Sequence, residues 1–321
     1  MPMGVYEDLQ RLAGMVRGFM ASRVILSAHQ TGLFVSLKKP STSRAVARHL
    51  SLEHRATEVV LDALTGLGLL RKQKGRYVLS PVAKKFFLPE SPYYMGNAFA
   101  HMDNLWQSWS HLTSILKNGG PAPRDSFDHE TFILAMEDIA RWKVREVIKH
   151  IDLKGIKKAL DLGGGPGTYA RALARRGIHV TLFDREETLP VAKKLAERDS
   201  LADRINFRAG DFLTEPIGTG YDMVLVSQVL HSYGPRDCVR LLKKIKKALR
   251  PDGIVVVHEF FVKKDRSGPP SGVLFGVNML VNTPEGRVYP VEEIKAMLKK
   301  ATFKKASVHH LQDTVLVVAR A

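Results

Sequence analysis

The 321-residue chain has very little cysteine and no long apolar run, and each shortage excludes a class of protein. Cys238 is the only cysteine, so an internal disulfide and a multi-cysteine metal site are both excluded, and we expect a reducing, cytoplasmic environment. No apolar run approaches the roughly 20 residues of a membrane span, and the first residues lack the apolar stretch of a signal peptide. Repeats and low-complexity tracts are also missing. The 45% of hydrophobic residues suffice for a sizeable core, and the length favours two domains.

Acidic residues are scarce relative to basic ones, with 32 Asp and Glu against 49 Lys and Arg, which gives a net charge of +17. Such an excess can indicate a nucleic acid, an anionic membrane or an acidic substrate as partner. Here the excess is spread along the chain, and lysines alternate with an apolar helix face in LLKKIKKALR. We therefore interpret it as a solvated basic surface.

The first 90 residues predict short helices followed by a hairpin. The helical segments are SRAVARHL and HRATEVVLDALTGLGLL, and the strands of RKQKGRYVLS are joined by a turn at Lys74-Gly75. This order is that of a winged helix. The helix that would enter a DNA groove carries Glu53, Glu58 and Asp62, and these acids argue against nucleic-acid binding.

The remaining chain changes its pattern twice. Residues 91–150 predict a helical linker rich in aromatic residues. Within residues 151–321, short apolar runs such as KALDL, HVTLFD and YDMVLVS alternate with amphipathic segments. That alternation predicts an α/β fold with a doubly wound, Rossmann-like parallel sheet. The last run, TVLVVAR, follows a short turn and predicts an antiparallel hairpin at the sheet edge.

A glycine loop, DLGGGPG, follows the first apolar run of the predicted sheet. It does not match a dinucleotide fingerprint, because the third glycine falls on Thr168, and it lacks the lysine and hydroxyl pair of a P-loop. It does match an acid-x-Gly-x-Gly-x-Gly pattern through Asp161, Gly163, Gly165 and Gly167. A carboxylate at the end of that strand would repel a pyrophosphate and attract an ammonium group.

Two further carboxylates follow the next two predicted strands. Asp184 ends HVTLFD about 20 residues after Gly163, a spacing at which an acid binds ribose hydroxyls. Asp211 follows the third strand, with Phe212 beside it. Each aspartate alone could be a cap or turn residue, and Phe212 could belong to the core or stack beside an adenine. Together, three strands that end in acids favour a ligand with amino, ribose and adenine groups, and S-adenosylmethionine is such a ligand.

Five segments in this order resemble the winged-helix family of small-molecule O-methyltransferases, which are class I S-adenosylmethionine-dependent methyltransferases. They are DALTGLGLL, GRYVLSP, SPYYMG, DLGGGPG and SQVLHSYGPRD. The family includes plant caffeate, hydroxyindole and bacterial pigment or polyketide enzymes, and the resemblance covers nearly the whole chain. It implies S-adenosylmethionine as cofactor and S-adenosylhomocysteine as product. It also implies a small, mostly apolar acceptor, a homodimer formed by the N-terminal domain, and a cofactor contact at Ser227.

The resemblance also implies a catalytic pair. His231 lies just beyond the fourth predicted strand, where the family's histidine removes the proton from the acceptor hydroxyl. A histidine with a pKa of about 6.5 is free to accept a proton at neutral pH, whereas a phenol has a pKa near 10. Glu259 ends GIVVVHE at the offset at which the family carries a glutamate that orients this histidine. His258 should face the opposite side of the strand.

The chain departs from the plant enzymes at three positions. Their second glutamate falls at Val288, and the two residues after the histidine are Ser232 and Tyr233. Relatives of the same architecture methylate other atoms, so C- or N-methylation stays open, as does a regulator that binds nucleic acid. The resemblance also implies that the linker of residues 91–150 contributes to the acceptor pocket. It implies Met102, Trp106 and Met279 as pocket residues, and the first two are as compatible with core positions. No metal site is expected.

Overall fold

The computed structural model describes residues 3–123 and 128–321. The chain divides into two compact units between Asn104 and Leu105. The sequence predicts boundaries at residues 90 and 150, and the roles of the three segments that they separate stay predictions. Residues 124–127 of the proposed linker lie outside the described residues.

The first unit begins with one long helix, and the expectation of only short helices was wrong for this segment. Helix α1 runs without interruption from Met3 to Gln30, a segment that contains no proline. The other elements of the unit and its boundary are α2 (Leu33–Ser36), α3 (Ser43–Leu50), α4 (His54–Gly66), β1 (Leu70–Gln73), β2 (Arg76–Leu79), α5 (Pro81–Phe87) and α6 (Gly96–Ser110).

The hairpin of the first unit forms where the sequence predicts it. Strands β1 and β2 pair antiparallel, and Lys74 and Gly75 between them have positive φ values of 48° and 74°. Positive φ at both central residues is what a tight two-residue turn requires. Asp62 on α4 accepts hydrogen bonds from the Tyr77 hydroxyl at 2.6 Å and from Lys72, so this acid ties the helix to the hairpin.

The second unit is built on a seven-stranded sheet with the order β5-β4-β3-β6-β7-β9-β8. The first five strands are parallel, and β9 is antiparallel to both neighbours. The strands are β3 (Lys158–Leu162), β4 (His179–Asp184), β5 (Ile205–Ala209), β6 (Tyr221–Ser227), β7 (Leu249–Phe260), β8 (Lys304–His310) and β9 (Thr314–Arg320). The helices are α7 (Leu112–Asn118), α8 (His129–Lys149), α9 (Thr168–Ala174), α10 (Leu189–Arg198), α11 (Pro235–Ala248), α12 (Pro270–Asn282) and α13 (Val291–Lys300).

Helices cover both faces of this sheet, as a doubly wound fold requires. On one face Val255 and Val257 of β7 belong to the core cluster that includes α11 and α13. On the other face Ile254 and Val256 belong to the cluster of α8, α9 and α10. The predicted α/β fold with an antiparallel C-terminal hairpin is confirmed. Because β3, β4, β5, β6 and β7 are parallel, the loops after them meet at one edge of the sheet.

Candidate active site

The glycine loop follows β3 at that edge, and its glycines leave room for a ligand. Gly163 has a φ of 68°, and a Cβ there would lie 2.8 Å from Cγ2 of Val229. Gly165 has a φ of 52°, and no atom lies within 4 Å of its Cβ position. Its N–H donates to Oδ2 of Asp184 at 2.7 Å. A side chain would therefore be strained at both positions, and the backbone at Gly165 is open to a ligand.

Asp161 is buried beneath this loop with one oxygen unused. Its Oδ2 accepts a hydrogen bond from the backbone N–H of Ala170 at 3.0 Å. Its Oδ1 is also buried and has no hydrogen-bond partner among the described residues. Burial, with a smaller contribution from the nearby Asp184, raises the pKa of the Asp161 carboxyl to about 7. A buried acceptor without a partner calls for a donor from a ligand, and the α-ammonium group of S-adenosylmethionine is such a donor.

The other two acids lie on the neighbouring strands. Asp184 ends β4 and accepts from the backbone of Gly165 and Arg185, yet burial still raises its pKa. Asp211 follows β5, is exposed, and accepts from the N–H of Leu213 at 2.8 Å. The sheet order thus places all three acids along one edge. These carboxylates fit the ammonium, ribose and adenine groups of the cofactor.

Phe212 lies between the third acid and the glycine loop. Its Cε1 is 3.5 Å from the Cβ position of Gly163, and its ring meets that of Tyr233 edge-on with centroids 5.8 Å apart. The ring is only partly buried. It therefore has the exposure that stacking beside an adenine requires.

His231 and Glu259 form a buried pair at the same edge. Nδ1 of His231 lies 2.7 Å from Oε2 of Glu259, and the carboxylate is only 2% exposed. Oε1 of Glu259 accepts from the backbone N–H groups of Val229, Leu230 and His231 at 3.0, 2.8 and 3.4 Å. A carboxylate only accepts, so the hydrogen of a neutral His231 sits on Nδ1 and leaves a lone pair on Nε2.

Two phenylalanines form an aromatic wall beside His231, and sequence reasoning missed both. The ring of Phe275 on α12 meets the imidazole edge-on at 4.9 Å and an angle of 84°. The ring of Phe260 stacks on Phe275 at 3.8 Å. The only sequence signal is an aromatic residue directly after Glu259. Such a wall offers an apolar surface to a flat acceptor.

His258 faces the opposite side of β7, as strand alternation predicts. Its Nδ1 lies 2.9 Å from Oγ of Ser227, and its Nε2 lies 3.0 Å from Oγ1 of Thr314. Burial lowers the pKa of His258 to about 3, so this imidazole is neutral. It holds the hydroxyl of Ser227 at the end of β6, beside the predicted cofactor site.

Gln228 is a further residue that sequence reasoning missed. It has a φ of 60°, its N–H donates to the carbonyl of His258, and its buried Oε1 has no partner among the described residues. A strained backbone and an unsatisfied polar atom often mark a functional site. Its place between Ser227 and His231 is the one signal the sequence offers.

Comparison with known proteins decides the family. Residues 110–304 match the model of the O-methyltransferase domain, and residues 14–88 match that of the O-methyltransferase dimerisation domain. The chain belongs to the O-methyltransferase family. The methyltransferase uses S-adenosylmethionine as its methyl donor.

Three similar proteins illustrate the match. The 3-hydroxy-5-methyl-1-naphthoate 3-O-methyltransferase of Streptomyces sahachiroi is 28% identical over 90% of this chain and 88% of its own length. The tetracenomycin polyketide synthesis 8-O-methyl transferase of Streptomyces glaucescens is 30% identical over 89% of this chain and 88% of its own. The crystal structure of human N-acetylserotonin methyltransferase in complex with SAM has a TM-score of 0.89 at 26% identity, covering 98% of this chain and 97% of the human chain.

The candidate acceptor-pocket residues of the methyltransferase lie on different elements. Met279 is buried on α12, Trp106 is partly buried on α6, and Met102 of the first unit is half exposed. Trp109 instead donates to Oδ1 of Asn278 at 2.9 Å, which joins α6 to α12. The roles of the three candidates stay predictions.

Among residues 3–123 and 128–321, no cluster of three or more His, Cys, Asp or Glu side chains could hold a metal ion. No helix within these ranges is long and apolar enough to cross a membrane.

Proposed function

We propose that the methyltransferase methylates a hydroxyl group on a small aromatic acceptor, with His231 as the general base. The observation that carries this proposal is the 2.7 Å contact between Nδ1 of His231 and a Glu259 carboxylate fixed by backbone N–H groups. This contact leaves Nε2 as the proton acceptor. Two of the similar proteins are named for methylation of an oxygen on a naphthoate or a tetracenomycin polyketide, and their names support an aromatic acceptor.

The cofactor is held by the residues at the sheet edge. Asp161 receives the ammonium group, Asp184 the ribose hydroxyls, and Asp211 and Phe212 the adenine. Gly163 and Gly165 let the backbone approach, and Ser227 offers its hydroxyl from the end of β6. When bound, S-adenosylmethionine supplies a methyl group on a sulfonium sulfur, which an oxygen can attack in line.

Catalysis by the chain then requires positioning and one proton transfer. Glu259 orients the imidazole, and Nε2 of His231 takes the hydroxyl proton as the oxygen attacks. Phe275 and Phe260, together with Trp106 and Met279, surround the acceptor with apolar surface. Bringing the two reactants together in line and excluding water provide the remaining acceleration.

Methyl transfer from isotope-labelled S-adenosylmethionine to N-acetylserotonin and to hydroxynaphthoates tests this function. We expect labelled O-methyl products from at least one aromatic hydroxyl, identified by mass spectrometry and NMR. A label found only on carbon or nitrogen would contradict O-methylation. Failure of S-adenosylhomocysteine to bind in calorimetry would contradict the cofactor site.

The dimer is the second part of the proposal, and it forms through residues 1–90. Helix α1 carries eight apolar side chains that are each more than half exposed: Val5, Tyr6, Leu9, Leu12, Met15, Val16, Phe19 and Met20. Apolar surface of this extent fits a second copy of the chain. Removal of residues 1–90 should therefore give a monomeric or insoluble protein, and a full-length chain that is monomeric by light scattering at high concentration would refute the dimer.

A further inference from the structure

The turn after β5, at residues 211–215, is compact and is closed by hydrogen bonds between its own residues. The N–H groups of Thr214 and Glu215 donate to the carbonyl of Asp211 at 3.1 and 2.7 Å, and the N–H of Asp211 donates to Oε1 of Glu215 at 2.9 Å. Gly210 precedes the turn, and a Cβ there would lie 2.8 Å from the ring of Phe183. The turn is therefore packed against β4 and closed by its own first and last residues.

One lysine from α11 binds the carbonyl side of this turn. Nζ of Lys244 donates to the carbonyl of Phe212 at 2.8 Å, to that of Leu213 at 3.0 Å and to that of Glu215 at 2.9 Å. An ammonium group has three N–H donors, so these contacts use all of them. Hydrogen bonds to a charged donor are stronger than neutral ones.

Lys244 differs in this respect from the lysine beside it in sequence. Lys243 is exposed on α11, whereas Lys244 is partly buried. Partial burial lowers the pKa of the Lys244 ammonium, and the nearby Asp211 and Glu215 counteract that effect. The contact thus belongs to the structure of the turn and not to the solvated basic surface.

We propose that Lys244 is a positioning residue for the adenosine end of S-adenosylmethionine. By donating to three carbonyl groups of the turn, it fixes the backbone from which Asp211 and Phe212 reach the adenine. This inference rests on the proposed cofactor roles of those two residues. Lys244 itself touches no reacting atom, so it acts on cofactor affinity and not on the proton transfer at His231.

The test uses the full-length protein and calorimetric binding of S-adenosylhomocysteine. Lys244→Met keeps the aliphatic stem and removes the three donors, and we expect its dissociation constant to rise roughly 5- to 20-fold. Lys244→Arg restores charge and donors and should regain most of the affinity. Lys243→Met is the matched control on the same helix and should bind like the wild type.

Two further measurements distinguish positioning of the cofactor from a purely structural role of Lys244. With an acceptor in hand, Lys244→Met should raise the KM for S-adenosylmethionine while leaving kcat and the acceptor KM unchanged. Phe212→Ala should also weaken binding, and the double variant should lose less affinity than the two single losses combined, because both changes weaken the contact of Phe212 with the adenine.

Each outcome distinguishes the inference from the function on which it rests. If the wild type does not bind S-adenosylhomocysteine, the proposed cofactor site fails. If the wild type binds and Lys244→Met binds equally well, the positioning role is overturned and the cofactor site stands. Fully additive losses in the double variant would also overturn it. Should Lys244→Met fold poorly, Lys244→Gln takes its place, because its shorter amide has fewer donors and no charge. Weaker binding in Lys244→Gln than in Lys244→Arg supports the role, and equal binding in the two variants refutes it.

Discussion

Replacing Glu259 with glutamine should move the proton on His231 to the wrong nitrogen. The carboxylate faces only donors, with three backbone N–H groups on Oε1 and Nδ1–H of His231 on Oε2. An amide has only one acceptor oxygen. If that oxygen keeps the three backbone contacts, the NH₂ group faces Nδ1, which must then become an acceptor. The imidazole proton moves to Nε2, and the nitrogen that should take the acceptor's proton is blocked.

The expected loss follows from that geometry. A positioned base contributes about 10²–10⁴ in rate, and fixing a catalytic histidine in the wrong tautomer costs about 10⁴ in a serine protease, so we expect kcat/KM of Glu259→Gln to fall by roughly 10²–10⁴, no more than removal of the base itself would cost. The free energy of unfolding should fall by about 1–3 kcal/mol, because a buried charged acceptor is lost. Affinity for S-adenosylhomocysteine should hardly change, since Glu259 contacts His231 and is not one of the residues proposed to bind the cofactor.

Three measurements check this reasoning together. Methyl transfer gives kcat/KM, thermal unfolding gives stability, and ¹⁵N NMR of the His231 ring shows which nitrogen is protonated. Glu292→Gln, on the exposed surface of α13, is the control and should behave like the wild type. A Glu259→Gln variant that keeps Nδ1 protonated, or that retains wild-type turnover, would refute the proposed role of the carboxylate.

Three further predictions follow from the same edge of the sheet. His231→Ala should slow turnover by about 10²–10⁴ and should recover toward alkaline pH as a phenolic acceptor ionises by itself; a pH–rate profile with no recovery would contradict base catalysis of a phenol. The Asp161 carboxyl has a pKa of about 7 in the free protein, and a bound ammonium group favours its ionised form. Cofactor affinity should therefore be full above pH 7 and should weaken below it, because binding must then release the proton of the Asp161 carboxyl. Calorimetry should show that this pH dependence is abolished in Asp161→Asn. Gln228→Gly should relieve a positive φ and stabilise the protein by about 1 kcal/mol while lowering activity, and thermal unfolding with a turnover assay tests both parts.

The cofactor edge could be predicted from the sequence because its signals are local. Asp161, Asp184 and Asp211 each lie at or just beyond the end of an apolar run, and the ends of parallel strands share an edge. The turn at Lys74-Gly75 could also be predicted, because its signal lies in two adjacent residues. The pair of His231 and Glu259 is different, because only the resemblance to a family connected two residues on separate strands.

Features that depend on long-range packing could not be predicted. Lys244 reaches carbonyl groups about 30 residues away in sequence, and nothing in LLKKIKKALR distinguishes it from Lys243. Phe275 reaches His231 from α12. The positive φ of Gln228 could not be predicted because the residue is not a glycine. The length of α1 was missed because its apolar residues do not gather on one face, and such a pattern gives no periodic signal.

The missing second glutamate bears on which hydroxyl groups this histidine can deprotonate. Val288 is buried, and its two neighbours in sequence hold the histidine segment: the backbone N–H of Arg287 donates to the carbonyl of His231 at 2.7 Å, and the side-chain hydroxyl of Tyr289 donates to the carbonyl of Tyr233 at 2.5 Å. These contacts hold the backbone, and Glu259 binds Nδ1 of the imidazole. When His231 gains a proton, the carboxylate of Glu259 lies beside the imidazolium. An imidazole is a weak base, and it takes a proton far more easily from a phenol with a pKa near 10 than from an aliphatic alcohol with a pKa near that of water, about 15.7. We therefore expect the acceptor's hydroxyl to sit on an aromatic ring.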